Sequence, residues 1–277
     1  MKLIGLNNIK YEIDRLQEIP HILISGPRGT GKSTLSKYIA HTKHKKLIFT
    51  AGNTLKKVDL LNIFINIQEG DILLIDEIHR LSPKLEEILY QPMENFILPV
   101  KTTYGEQQQF KLPKFSLIGT TTKPSMISKP LMSRFQLHFQ ISHYNIRELA
   151  RIIMSNYSNI NRRTALKIAV NVVTPREAIN LAYRCINLAN KDVNKEIDDI
   201  LEFIGYKHGL SKNERFYLKI LYNCQRLSQA SLCSALQVDK DELSFIEDKL
   251  LLRRLIEITN KGRQLTFKGL QLVNQQS

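Results

Sequence analysis

Ser25-Gly26-Pro27-Arg28-Gly29-Thr30-Gly31-Lys32-Ser33-Thr34 satisfies G-x-x-x-x-G-K-[ST] at every fixed position. It follows the apolar run His21-Ile22-Leu23-Ile24 and precedes a helical segment from Leu35 to His41. Strand, glycine-rich turn and helix in that order make a phosphate cradle. Glycines let backbone N–H groups turn inward, Lys32 reaches the outer phosphates, and the Ser33 hydroxyl is a ligand for Mg²⁺. The helix adds the positive end of its dipole. Gly26, Pro27, Arg28, Gly29, Thr30, Gly31, Lys32, Ser33 and Thr34 are therefore the expected nucleotide contacts.

Upstream, Ile9, Ile13 and Leu16 recur at helical spacing, so a short helix leads into the first strand. Downstream, Leu47 to Thr50 reads as a second strand, Leu55 to Ile67 as an amphipathic helix, Ile72 to Ile75 as a buried third strand and Phe115 to Gly119 as a fourth. This alternation predicts an α/β core with a parallel sheet covered on both faces. The third strand ends in Asp76-Glu77. A nucleotide site needs one carboxylate to hold Mg²⁺ and another to polarise the attacking water, and adjacent strand residues point in different directions. Two solvated acids at a strand end are the plainer alternative, which the phosphate loop upstream disfavours.

The fourth strand runs into Thr120-Thr121-Thr122. Open α/β sheets bind ligands beyond the carboxyl ends of their strands, which makes Thr121 or Thr122 a candidate γ-phosphate sensor. Pro130-Leu131-Met132-Ser133-Arg134-Phe135 follows, and by its residues alone Arg134 is equally a surface arginine with a buried stem. Between Pro83 and about Phe96 a helix is expected, and Ile97 to Phe110 reads as a projecting β-hairpin. Its apolar residues Leu98, Val100, Tyr104 and Phe110 either pack on the core or face a partner.

The 277 residues are 43% hydrophobic and 24% charged, an ordinary globular composition. Forty Lys and Arg against 26 Asp and Glu give +14, which favours a polyanionic partner such as nucleic acid, a lysine-rich surface being the bland alternative. Cys185, Cys224 and Cys233 form no C-x-x-C, so neither a zinc site nor a disulfide framework is indicated. With no signal pattern and no apolar run approaching about 18 residues, a cytoplasmic location is expected.

Three domains are expected. Residues 1–142 form the nucleotide core, and 143–205, patterned as helices without strands, form a lid. Pro175 opens its third helix, and Arg176 sits in the first turn, where a cation opposes the helix dipole and calls for an anion. Residues 206–277 pattern as three helices and a two-stranded wing, a winged helix in which Arg253, Arg254, Lys261 and Arg263 are candidate nucleic-acid contacts. A solvated wing is as good a reading of these cations as phosphate contact.

The motifs together resemble the AAA+ ATPases, and among them the RuvB family of Holliday-junction motors. The carrier is Glu69-Gly70-Asp71 through Ile75-Asp76-Glu77-Ile78-His79-Arg80-Leu81-Ser82-Pro83, continuing through Glu86-Glu87-Ile88-Leu89-Tyr90 to Met93-Glu94-Asn95-Phe96. Phe115 to Thr122 resembles the family's sensor 1 strand, Pro130 to Phe135 its arginine-finger segment and Thr174-Pro175-Arg176 its sensor 2 motif. The resemblance implies an ATP-hydrolysing, Mg²⁺-dependent branch-migration motor for recombination and repair, assembled as a hexameric ring. Glu77 would orient the attacking water, Asp76 and Ser33 hold Mg²⁺, Arg134 enter a neighbouring subunit's site, and Arg176 report nucleotide state. The 98–110 hairpin would dock a RuvA-like junction-binding protein, and the winged helix would contact DNA. The chain departs from the family pattern at Arg28, Met132 and Val173. Little chain precedes Ile4-Gly5-Leu6, so altered adenine contacts are expected. Rival readings are a clamp-loader-like ATPase, whose collar would lack the basic wing, and a nucleotide-gated binding module without turnover.

Overall fold

The computed structural model describes residues 3–101 and 107–275; Tyr104, one of the expected partner contacts, lies outside the described residues. They divide into two compact units, one running to Tyr144 and including Thr174–Arg176, the other comprising Asn145–Val173 and the chain from Glu177 onward. The lid and winged-helix segments thus share one unit.

The first unit runs α1 (Asn7–Arg15), β1 (Ile22–Ser25), α2 (Lys32–Thr42), β2 (Leu47–Ala51), α3 (Lys57–Asn66), β3 (Ile72–Asp76), α4 (Pro83–Asn95), β4 (Ile97–Lys101), β5 (Gln107–Lys111), β6 (Ser116–Thr121), α5 (Lys129–Met132) and β7 (Leu137–Gln140). Five strands pair in parallel in the order β2-β3-β6-β1-β7. Ile72, Leu73, Leu74 and Ile75 are wholly inaccessible, as are Leu117 and Ile118. Such strands read as continuous apolar runs because helices cover both sheet faces, and each side chain so buried contributes about 1.5–3 kcal/mol. Parallel pairing places the ends of β1, β3 and β6 side by side, which fixes where the loops after them meet.

Strand β7 is the fifth, beyond the four that the sequence pattern indicates. It pairs with β1 at the sheet edge, and only Phe139 of its four residues is buried. An edge strand covered on one side keeps Leu137, His138 and Gln140 at least partly exposed, so it carries no apolar run to announce it. Strands β4 and β5 form the expected hairpin, with Leu98 opposite Phe110.

The second unit runs α6 (Ile146–Asn156), α7 (Arg162–Ala169), α8 (Pro175–Leu188), α9 (Val193–Phe203), α10 (Lys212–Cys224), β8 (Arg226–Leu227), α11 (Gln229–Leu236), α12 (Lys240–Leu252), β9 (Ile256–Thr259), β10 (Gly262–Leu265) and α13 (Phe267–Asn274). Side chains of Asn145, Asn161, Asp192, Ser211, Ser228, Asp239 and Thr266 cap seven of these helices. The wing is three-stranded, β8-β10-β9, and Phe267 begins a helix where the sequence pattern continues a strand. The two residues of β8 are too few to show a period.

In the core, His21 is 3% exposed and bridges β6 and α4. Its Nδ1 accepts the Leu117 N–H at 2.8 Å, so the ring proton sits on Nε2 and is donated to the Met93 carbonyl, 3.0 Å away. Burial pulls its pKa below the ordinary value of 6.5, against the opposing bond to Met93. The unfolded chain therefore takes up this proton first as pH falls. The stability that neutral His21 contributes is complete above about pH 6.5 and is lost below it. Thermal melts are expected to show this loss between pH 7.5 and 5.5. His21→Leu should remove that share of the acid sensitivity while lowering stability at pH 7.5 by about 2–4 kcal/mol, since two buried backbone groups lose their partners.

Candidate functional site

The loop after β1 closes on backbone. At Gly26 a Cβ would fall 2.5 Å from the Ile141 carbonyl oxygen, and the Gly26 N–H donates to the Thr121 carbonyl at 3.2 Å. Gly29 has φ +80°, and a Cβ there would press on Arg176 Cβ and Thr174 Oγ1, both 3.1 Å away. Only glycine combines that φ with that approach. The Gly29 carbonyl accepts the Arg176 N–H at 3.3 Å, and the Thr30 carbonyl accepts the buried Tyr144 hydroxyl at 3.1 Å. Lys32, 7% exposed, turns its ammonium back into the loop, donating to the carbonyls of Gly26 at 2.8 Å and Pro27 at 3.0 Å. Burial pulls its pKa down, Glu77 and Asp76 oppose that, and Arg176 adds to it. An arriving anion would relieve that cost. Arg28 and Thr34 are exposed on the loop and the first turn of α2.

Asp76 is the last residue of β3 and Glu77 follows it in a left-handed turn, so the two acids diverge through that turn and not through the strand alternation expected from the sequence. Asp76 Oδ1 lies 3.3 Å from Ser33 Oγ and accepts the Thr120 hydroxyl, which also receives the Glu77 N–H at 3.3 Å. Thr120 thereby ties the two acids together. Glu77 leaves the strand with φ +50°, and its Oε2 accepts both the N–H and the hydroxyl of Thr122, at 3.1 and 3.0 Å. His79 Nδ1 stands 3.2 Å from the same oxygen and 3.0 Å from Thr121 Oγ1, and burial pulls its pKa down.

Of the two sensor candidates, Thr122 meets the acid directly. Thr121, the last residue of β6, is fully buried and reaches Glu77 through His79, whereas Thr122 lies just past the strand end. Thr120 and His79 escaped the sequence reading. Both lie inside quoted motifs, and no periodicity marks them, since β6 ends at Thr121 and Glu77 already lies in a turn.

Arg134 is not brought to this cluster. Its guanidinium lies 4.2 Å over the Tyr90 ring, pairs with Glu94 at 2.9 Å and donates to the Pro130 carbonyl; its Nε is buried without a hydrogen-bond partner among the described residues. The arginine is anchored on α4. Arg176 is exposed at the start of α8.

On the hairpin, Leu98 is 3% exposed and Val100 packs against the same core, so these two serve the interior; Phe110 is exposed. Burial of the apolar face corrects the expectation that both would meet a partner. In the winged helix, Arg263 holds Glu247, itself 4% exposed, through two bonds of 2.8 and 3.2 Å, and the Tyr217 hydroxyl donates to the same carboxylate. Arg253 donates to the carbonyls of Gly209 and Val170. Both guanidiniums are committed internally, because a buried carboxylate, a helix-end carbonyl and a turn carbonyl need donors. Arg254 and Lys261 are exposed. No helix among the described residues is long and apolar enough to cross a membrane.

Comparison with known proteins agrees with this architecture. Residues 7–141 match the family described as the Holliday junction DNA helicase RuvB P-loop domain, and residues 207–274 match the RuvB C-terminal winged helix domain. A Holliday junction branch migration complex subunit RuvB from Campylobacter fetus subsp. fetus is 37% identical over 94% of this chain and 81% of its own length. One from Nitratiruptor sp. is 35% identical over 96% and 86%. The solved Thermotoga maritima RuvB branch migration motor superimposes with a TM-score of 0.82 at 30% identity, covering 98% of this chain and 95% of the other. With both terminal domains matched and homology running through nearly its whole length, the chain belongs to the RuvB family.

Proposed function

We propose that this chain is the ATP-hydrolysing motor that drives branch migration of Holliday junctions in recombination and repair, working as a ring with a RuvA-like junction-binding partner. One observation carries the chemistry. The desolvated Lys32 ammonium, the Ser33–Asp76 oxygen pair and Glu77 converge at the carboxyl end of one sheet, with Thr120 joining the two acids. A clamp-loader-like reading has no place for the matched winged helix.

The donor set suits Mg²⁺. Among the described residues no cluster of three or more His, Cys, Asp or Glu is present, and Ser33 with Asp76 offers the one or two hard oxygens that Mg²⁺ takes before phosphates and waters complete its shell. Bound there, it would neutralise charge developing on the β- and γ-phosphates. Lys32 would exchange its two loop carbonyls for phosphate oxygens. Glu77 would accept the proton of the attacking water once released from Thr122, and Thr122 would then face the γ-phosphate. Arg176 would report phosphate occupancy from the lid. Arg134, anchored on α4 away from its own loop, suits insertion into the neighbouring subunit's site, which makes ring closure part of the reaction.

We assign residues 1–142 to the ATPase core, 143–205 to the lid and 206–277 to the DNA module, and place the protein in the cytoplasm. Of the four candidate cations, exposed Lys261 and Arg254 are left for backbone phosphates, while Arg263 and Arg253 brace the domain. Exposed Phe110 is the described hairpin residue suited to the junction-binding partner.

Glu77→Gln is expected to lower junction-stimulated turnover by about 10²–10⁴-fold and Arg134→Ala by about 10³–10⁵-fold. An equimolar mixture of the two variants should recover measurable turnover, since each supplies what the other lacks; a mixture as inactive as its parts would sink the in-trans assignment. In salt titrations of junction binding, Lys261→Ala should reduce the slope of log K against log salt by about 1. Arg263→Ala should instead cost about 3–5 kcal/mol of stability in melts, as it strands a buried carboxylate.

A further inference from the structure

Lys249, on α12 in the heart of the winged helix, is 5% exposed. Burial alone would lower its pKa, but the carboxylates of Glu214 and Glu177 outweigh that and raise it. The ammonium lies 2.6 Å from Glu214 Oε1 and 2.9 Å from Glu177 Oε1. Glu214, 1% exposed, belongs to the winged helix, where its second oxygen receives the Ser211 N–H in the capping box of α10. Glu177 belongs to the lid. It stands in the first turn of α8, receives the Val173 N–H, and follows Arg176 directly in the chain. A buried cation shared by two carboxylates from different segments is costly to build and rigid once built.

A second tie runs parallel to the first. Arg253, one turn further along the chain, donates to the Val170 carbonyl at 2.8 Å and to that of Gly209. Val170 closes α7, so the guanidinium also meets the negative end of that helix. Two lid helices are thus pinned to the same end of α12.

We propose that Lys249 is a positioning residue that couples nucleotide state to the DNA module, by holding the nucleotide-sensing end of α8 rigidly to the core of the winged helix. Arg176 and Glu177 are consecutive residues. A shift of Arg176 on phosphate arrival or loss therefore moves Glu177, and Glu177 carries Lys249 and α12 with it. This rests on the reading of Arg176 given above. Coupling energies carried by such elements correspond to about 5–150-fold changes at the distant site.

The test uses the full chain with four-way-junction DNA. Glu177→Gln removes the charge of the lid arm and leaves one acceptor oxygen where Lys249 and the Val173 N–H need two, and it leaves the Lys249–Glu214 pair intact. Lys249→Met combined with Glu214→Gln removes the strut without leaving a lone buried charge, and so guards against a folding defect. Both variants should keep ATP turnover without DNA within about 2-fold of the parent while junction movement per ATP consumed falls by about 10-fold or more. Hydrogen exchange gives a readout that needs nucleotide binding only. A non-hydrolysable ATP analogue should change protection in both α8 and α12 of the parent, and in α8 alone in the variants. Should Glu177→Gln retain the parent's movement per ATP and its α12 response, the proposal is overturned. If the parent shows no junction-stimulated turnover even with a RuvA-like junction-binding protein added, the motor assignment falls, and the exchange experiment still decides the strut.

Discussion

The Lys32 ammonium is held almost out of water by two carbonyls of its own loop, with two carboxylates in electrostatic reach. Its position requires a strand buried on both sides to aim it, a loop whose glycines admit backbone where side chains would collide, and neighbouring strands that deliver carboxylates to the same end of the sheet. Each requirement is visible in the fold. β1 lies inside the sheet, Gly26 presses against the Ile141 carbonyl, and β3 and β6 bring Asp76 and Thr120–Thr122 alongside. Burial makes that charge costly, and the two carboxylates and two carbonyls offset part of the cost.

Much of this was legible in the amino-acid order. The phosphate loop, the acids after β3 and the threonine run after β6 occupy strand ends, and strand ends announce themselves by where apolar runs stop. What stayed hidden is instructive. β7 carries one buried residue, and β8 has two residues in all, so neither has a period to detect. The choice between Thr121 and Thr122 depended on the phase with which β6 leaves the sheet, and His79 gained its role from a left-handed turn at Glu77 that no residue type requires. Leu98 and Phe110 are directly opposed, yet one is buried and the other exposed, a difference set by what lies beneath the hairpin.

Charge was the least legible property. An excess of 14 positive charges suggests a surface made for polyanions. Yet Lys249, Arg253 and Arg263 all turn inward, to carboxylates or carbonyls that would otherwise be stranded. Composition counts cations without regard to direction, so the regional total overstates the positive charge that this segment turns to solvent.

The same inward-turned cations bear on modularity. A winged helix is often treated as a portable unit, to be cut out, grafted or studied alone. Here the boundary in the chain and the boundary in the energetics differ, because the segment from 206 onward satisfies its buried ammonium and one guanidinium partly with acceptors that precede it, Glu177 and the Val170 carbonyl. Excised, it would leave behind part of its own interior, so lid and wing form a single inheritable part, and an exchange between relatives would have to carry both.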